Sequence, residues 1–197
     1  MKPRLAIFDF DGTITRRDSF LPFLFFCFGY YKVFCTAITS IPILLMYKLR
    51  LVSNSKAKEI VFGKFFRGMG EDDFNRLSRS YSRKRISPGV RIKALEKIIR
   101  HGDRGDRVMI ISASMENWIK PWAYAHGIGH VIATTVEIKD GVLTGKFSSP
   151  NCHGKEKVKR LVETMGSLDQ YHICSYGDSK GDQDLLDLSD EPFYRLF

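Results

Sequence analysis

At 197 residues, 44% of them hydrophobic, the chain has the size of one domain with an insertion and enough apolar content for a packed core, which excludes a disordered chain. Lys and Arg number 31 against 22 Asp and Glu, a formal charge of +9. That balance favours anionic partners (phosphate esters, an anionic membrane surface or nucleic acid) without choosing among them.

Residues 5–9 read as a short buried strand that runs into Asp9-Phe10-Asp11-Gly12-Thr13. Carboxylates at the end of an apolar strand are costly unless they meet a cation or do chemistry. Strand positions i and i+2 share a face. With a turn beginning at Phe10, both aspartates address one site at the strand's C-terminal end, where open α/β sheets bind ligands.

Residues 19–88 carry no strand pattern and are read as helical. Within them, residues 20–51 are almost wholly apolar, with Lys32 the one charge before Lys48. Pro22, Gly29 and Pro42 are expected to divide this run into pieces. The second half of the segment is basic, and Ser87-Pro88-Gly89 marks its end. Residues 90–100 have helical spacing. Residues 107–111 form a buried strand ending at Ser112-Ala113-Ser114, and a helix over 115–126 contains Pro121. Residues 131–134 are another short strand. Asp140-Gly141 is a hairpin turn between 135–139 and 142–147. Residues 156–165 are a helix, and 172–176 the last clear core strand, ending at Gly177-Asp178. Strands alternating with helices predict a parallel α/β sheet.

The four cysteines, Cys27, Cys35, Cys152 and Cys174, form no C-x-x-C pair and are read as reduced, buried thiols of a cytoplasmic protein. The first residues lead into a strand rather than a signal-peptide core, so no secretion signal is expected.

Four clusters fall at strand ends or helix starts: Asp9 with Asp11, Ser112, Lys155, and Asp178 with Asp182. Together, and in this order, they resemble the haloacid dehalogenase superfamily of phosphatases. Asp9-Phe10-Asp11-Gly12-Thr13 matches its D-x-D-G-T motif. Ser112 matches the Ser or Thr that ends a hydrophobic strand. Gly154-Lys155-Glu156-Lys157-Val158 matches the lysine at a helix start, and Asp178 with Asp182 the acidic pair.

The resemblance implies a Rossmann-like α/β fold. The catalytic core would comprise residues 1–17 and 88–197, and an all-helical cap, residues 18–87, would follow the first strand. It implies a Mg²⁺-dependent phosphomonoesterase. Asp9 would attack phosphorus, and Asp11 would protonate the leaving oxygen and then activate water. Asp9, the backbone carbonyl of Asp11 and Asp178 would hold the metal. Ser112 and neighbouring backbone groups such as Ala113 would bind the phosphoryl oxygens, and Asp182 would orient the lysine or metal-bound water. Gly-Lys-x-Lys-Val resembles phosphoserine phosphatases, which favours Lys155. Lys157 stays open, since the two lie about 200° apart on a helix and one should face away. Ser114 is read as a cap for the next helix, and His153 as a local polar residue.

The apolar insert, Ser-Ala-Ser and Gly-Asp-Ser-x-Gly-Asp resemble the bacterial branch that acts on phosphatidylglycerophosphate. The expected substrate is therefore a lipid phosphate monoester. The expected location is the cytoplasm, with peripheral attachment to the inner face of an anionic membrane through residues 20–51; the alternative for that run is the interior of the cap. The alternatives are a soluble phosphatase for a phosphoserine-like substrate, and a non-catalytic protein that binds anionic membrane or nucleic acid. No nucleic-acid binding module is recognisable, so a nucleic-acid partner is not expected.

Overall fold

The computed structural model describes residues 2–197, apart from the side chain of Leu44. The first strand, β1 (Arg4–Phe8), becomes the centre of the molecule. Its apolar run is buried on both faces. Ala6 and Phe8 join one core with Ile110, Cys174 and Tyr176, while Leu5 and Ile7 join the other with Met109, Ile111 and Ile173. A strand covered on both sides belongs inside a parallel sheet. Accordingly β1 pairs in parallel with β2 (Arg107–Met115) and β6 (His172–Gly177). The outer strands are β3 (His130–Thr134) and β7 (Glu191–Tyr194), and the order is β3-β2-β1-β6-β7, parallel throughout. The β7 strand was not anticipated. It has four residues and contains Pro192, which lacks a ladder donor and is tolerated because this is an edge.

The insert folds as α1 (Phe20–Lys48), α2 (Asn54–Phe66) and α3 (Glu71–Tyr81). The expected breaks in its apolar run resolve differently. Pro22 lies in the first turn of α1, where a backbone donor has no helical partner anyway. Pro42 sits inside the helix with its ring exposed, and the helix continues past it. Only Gly29 changes the direction of the chain, with φ 72° and ψ 171°, a conformation open to glycine. Before this kink, Phe23 is fully buried among Phe66, Phe74, Tyr81 and Trp118, with ring centroids 4.4–5.9 Å from its own.

A single turn, α4 (Ser87–Gly89), returns the chain to the sheet. There α5 (Ile92–Asp103) and α6 (Glu116–Ala125) follow, the latter running through Pro121. An antiparallel hairpin, β4 (Val136–Lys139) and β5 (Val142–Phe147), turns at Asp140-Gly141 as expected. It packs against the insert: the Phe62 and Phe147 rings lie 5.4 Å apart, and Glu59 of α2 accepts the Phe147 N–H at 3.0 Å. The chain closes with α7 (Lys155–Met165) and the short α8 (Gln183–Asp187). Of the cysteines, Cys152 and Cys174 are buried and all four are free, but Cys35 is exposed on α1, against expectation.

Phe23→Ala is expected to destabilise the protein by about 3–5 kcal/mol in urea unfolding, because it empties the centre of the aromatic cluster. Phe34→Ala, on an exposed face of the same helix, is expected to change stability by no more than about 0.5 kcal/mol.

Candidate active site

The parallel register brings the carboxyl ends of β1, β2 and β6 together. Asp9 follows β1, Ser112 lies within β2, and Asp178 follows β6. All three line one cleft of about 800 Å³, bounded on its far side by α1 and α2.

At its base is Lys157, in the first turn of α7 and 2% exposed. Its ammonium donates to Asp9 Oδ1 at 2.5 Å, Asp182 Oδ1 at 2.6 Å and the Ile111 carbonyl at 3.0 Å. A buried ammonium can donate three bonds, and all three are made. Burial alone would lower the Lys157 pKa, but Asp9 and Asp182 override it and raise it, so the side chain stays charged. The helix fixes which lysine this is. Lys155 opens α7 on the opposite side and is exposed, so it does not enter the site. The expectation for Lys155 is corrected in favour of Lys157.

Asp182 meets Lys157 with one oxygen and a nest of donors with the other. Its second oxygen accepts from the Asp178 N–H at 3.2 Å, the Ser179 N–H at 3.0 Å and the Ser179 hydroxyl at 2.8 Å. It holds both Lys157 and the Asp178 loop, so its oxygens serve first to position those two groups. Burial opposes its ionisation, and Lys157 overcomes this and lowers its pKa. Asp9 has one oxygen on Lys157; its other takes no hydrogen bond among the described residues. Burial pushes Asp9 up to about 7, Lys157 opposes the rise, and Asp182 and Asp11 add to it.

Carboxylate oxygens of Asp9, Asp178 and Asp182 lie within 4.8 Å of one another. Asp178 is only half-buried, and its carboxylate meets a single donor among the described residues, the Thr13 hydroxyl, at 3.4 Å. Burial raises its pKa, and Asp182 adds to the rise. A Cβ at residue 12 would collide with the Asp178 carboxylate, and its φ of 81° also favours glycine, so Gly12 lets that carboxylate approach. Two carboxylates with oxygens to spare, converging on one point, suit a hard divalent cation such as Mg²⁺.

The Asp11 side chain takes a different path. Its Oδ2 accepts from the hydroxyls of Ser114 and Ser19, the latter at 3.2 Å, while its Oδ1 is buried without a partner. Burial, with help from Asp18, pushes its pKa up to about 6. Ser19 is itself fixed by the Trp118 indole N–H at 3.0 Å, and its carbonyl accepts from the Tyr81 hydroxyl at 2.9 Å. The insert, through Ser19, thus shares with Ser114 of β2 in holding the second aspartate.

Ser114 bonds Asp11 instead of capping the next helix, and α6 has no side-chain cap. Ser112 is buried at the cleft wall, where its hydroxyl accepts the Ser114 N–H at 3.1 Å. The Ala113 carbonyl accepts from Lys58 Nζ at 3.0 Å. Lys58, on α2, was not singled out from the sequence. It lines the cleft with Asp18, and its ammonium lies 5.0 Å from the Phe20 ring. Burial lowers its pKa, against the pull of Asp11 and Asp18. His153 lines the cleft mouth beside Gly181 and is exposed.

The pattern of haloacid dehalogenase-like hydrolases matches residues 6–187. The chain belongs to that family. Protein CicA of Caulobacter vibrioides is 30% identical over 197 residues, covering 100% of this chain and 87% of CicA. A protein of unknown function from Bordetella pertussis has a similar structure, with a TM-score of 0.82 at 25% identity over 95% of this chain and 87% of that one. The fold is also shared with a phospho-aspartyl intermediate analogue of phosphoserine phosphatase, with a TM-score of 0.63 at 17% identity over 96% and 84% of the two chains. The chain is an enzyme of a hydrolase family, and phosphatases stand among its relatives.

Lys157→Ala is expected to lower kcat for an aryl phosphate by at least about 100-fold. It should also cost about 3–5 kcal/mol of stability, because two buried carboxylates lose their partner. Lys155→Ala should stay within about twofold of the parent in kcat, as suits an exposed residue. Parallel kinetics and urea unfolding of the two variants check this.

Proposed function

We propose that this enzyme is a Mg²⁺-dependent phosphomonoesterase that forms an aspartyl-phosphate on Asp9 and acts on a lipid phosphate monoester. The single observation that carries the chemistry is the separation of the two aspartates. Asp9 is oriented by an ammonium and keeps one oxygen free, whereas Asp11 turns away from that ammonium and is held by the hydroxyls of Ser114 and Ser19.

Asp9 and Asp178, with the backbone carbonyl of Asp11, would hold the metal. Once bound, it offsets the repulsion between a phosphate dianion and the Asp9 carboxylate. The free Asp9 oxygen forms the new bond to phosphorus as the ester oxygen–phosphorus bond breaks. Asp11, protonated, gives its proton to the leaving alcohol oxygen. It then takes a proton from water as the water oxygen attacks phosphorus and the bond from phosphorus to Asp9 breaks, releasing phosphate and the free Asp9 carboxylate. Lys157 neutralises charge beside Asp9, and Ser112 with the Ala113 backbone cradles the phosphoryl oxygens.

The substrate class rests on the cleft walls. Leu24, Val33, Ala37, Val61 and Phe65 carry an apolar lining from the aspartates up between α1 and α2. An apolar leaving group would displace poorly held water there. A basic chain with free thiols fits the cytoplasmic face of an anionic membrane. A soluble ester with a charged leaving group is the second reading, favoured by Asp18 and Lys58, which line the same cleft.

A panel of phosphate esters separates the two readings. A phosphatidyl phosphate monoester in mixed micelles is expected to exceed phosphoserine in kcat/KM by at least about tenfold. The reverse order would favour the soluble substrate. Asp9→Asn should abolish turnover of both while the circular dichroism spectrum is retained.

A further inference from the structure

The second half of α1 is apolar on two sides, and the protein covers only one. Val33, Ala37 and Ser40 line the catalytic cleft, Val33 and Ser40 being buried. Tyr31, Phe34, Ile38, Ile41 and Leu45, spaced by three and four residues, form an outer row between 50% and 85% exposed. The stretch Phe20–Ile43 is long and apolar enough to cross a membrane, yet only 17% of its most apolar window is buried. A helix apolar all round belongs in a core or in lipid.

Beside this helix lies a separate cleft of about 340 Å³ between α2 and β5. Lys56, Lys64, Arg67 and Lys146 line it, with Glu59 the one acidic residue. Glu59 is already taken up by Lys56 at 2.6 Å and by the Phe147 N–H. Lys64 joins the cleft to α1, donating to the Thr39 carbonyl at 2.6 Å and the Ser40 hydroxyl at 3.2 Å. No acidic residue occurs between Asp18 and Glu59, and Lys48 and Arg50 flank the end of the apolar row. Lys32, the one cation within the row, lies with its ammonium 4.5 Å from the Phe28 ring centroid.

We propose that this face docks on an anionic bilayer: the outer row of α1 lies in the interface, and the α2–β5 cleft receives a lipid phosphate headgroup. Charge complementarity selects this occupant. A second copy of the chain would set these cations against one another, whereas an anionic leaflet neutralises them. An apolar helix with flanking cations is the pattern of an in-plane interfacial helix. Its inner face walls the catalytic cleft, so a substrate leaving the bilayer would meet Asp9 without crossing bulk water. The proposal extends the lipid-phosphate reading and rests on it for this last consequence.

Flotation of the full chain with phosphatidylcholine vesicles, with and without phosphatidylglycerol, tests it. The protein should bind phosphatidylglycerol vesicles at least about tenfold more tightly than pure phosphatidylcholine. The double variants Phe34→Ser/Ile38→Ser and Arg67→Gln/Lys146→Gln should each lose at least about tenfold in binding, yet hydrolyse a water-soluble aryl phosphate at the parent rate. Absence of binding by the parent protein overturns the proposal, as does undiminished binding by the Arg67/Lys146 variant. So does a dimer in sedimentation that the Phe34/Ile38 variant dissolves. Vesicle binding without hydrolysis of any phosphate ester would leave the docking surface standing and remove the catalytic reading instead.

Discussion

One buried ammonium organises this molecule. Lys157 brings a positive charge to the junction of β1, β2 and α7 and spends its three donors on Asp9, Ile111 and Asp182. Each partner comes from a different part of the chain, and two of them are carboxylates that burial would otherwise neutralise or expel. Breaking such a buried pair from one side costs about 3–5 kcal/mol, whereas making it adds little net stability. The cluster is therefore better understood as a positioning device than as a source of stability. It fixes one Asp9 oxygen and leaves the other for chemistry.

The remaining parts follow from that arrangement. Asp182 holds the lysine with one oxygen and the Asp178 loop with the other, so the two acidic residues after β6 act in sequence: one positions, the other offers itself to the cleft. Asp11 could not share this setting without raising the pKa of Asp9 further. It turns instead toward Ser19 and Ser114, where it is buried and its pKa is raised. Because Ser19 begins the insert and Trp118 and Tyr81 fix it, the geometry of Asp11 is tied to the helices above the cleft.

The core of this arrangement could be read from the sequence where the chemistry is concentrated in a few consecutive residues. Leu5 to Asp11 display a doubly buried strand ending in charge, and the parallel sheet follows from it. Gly-Lys-x-Lys-Val was less legible. It offers two lysines, and only the start of α7 at residue 155 and its docking against β2 decide which one turns inward. The roles of Ser114 and Lys58 depend on contacts across 103 and 55 residues of chain, for which no local pattern exists, and Ser19, only 8 residues from Asp11, carries no motif that marks it. The β7 strand was hidden by its shortness and its proline. In α1, the prolines suggested breaks that their places in the helix make harmless, and glycine supplied the real one.

The central claim is that Asp9 is the group that carries the phosphoryl. Acid-quenching the enzyme during turnover of an aryl phosphate with Mg²⁺, followed by peptide mass spectrometry, tests it directly. The account predicts a peptide containing Asp9 heavier by one phosphoryl group, absent in Asp9→Asn and discharged by hydroxylamine. A phosphoryl group on another residue, or full-rate turnover with no modified peptide, would contradict it.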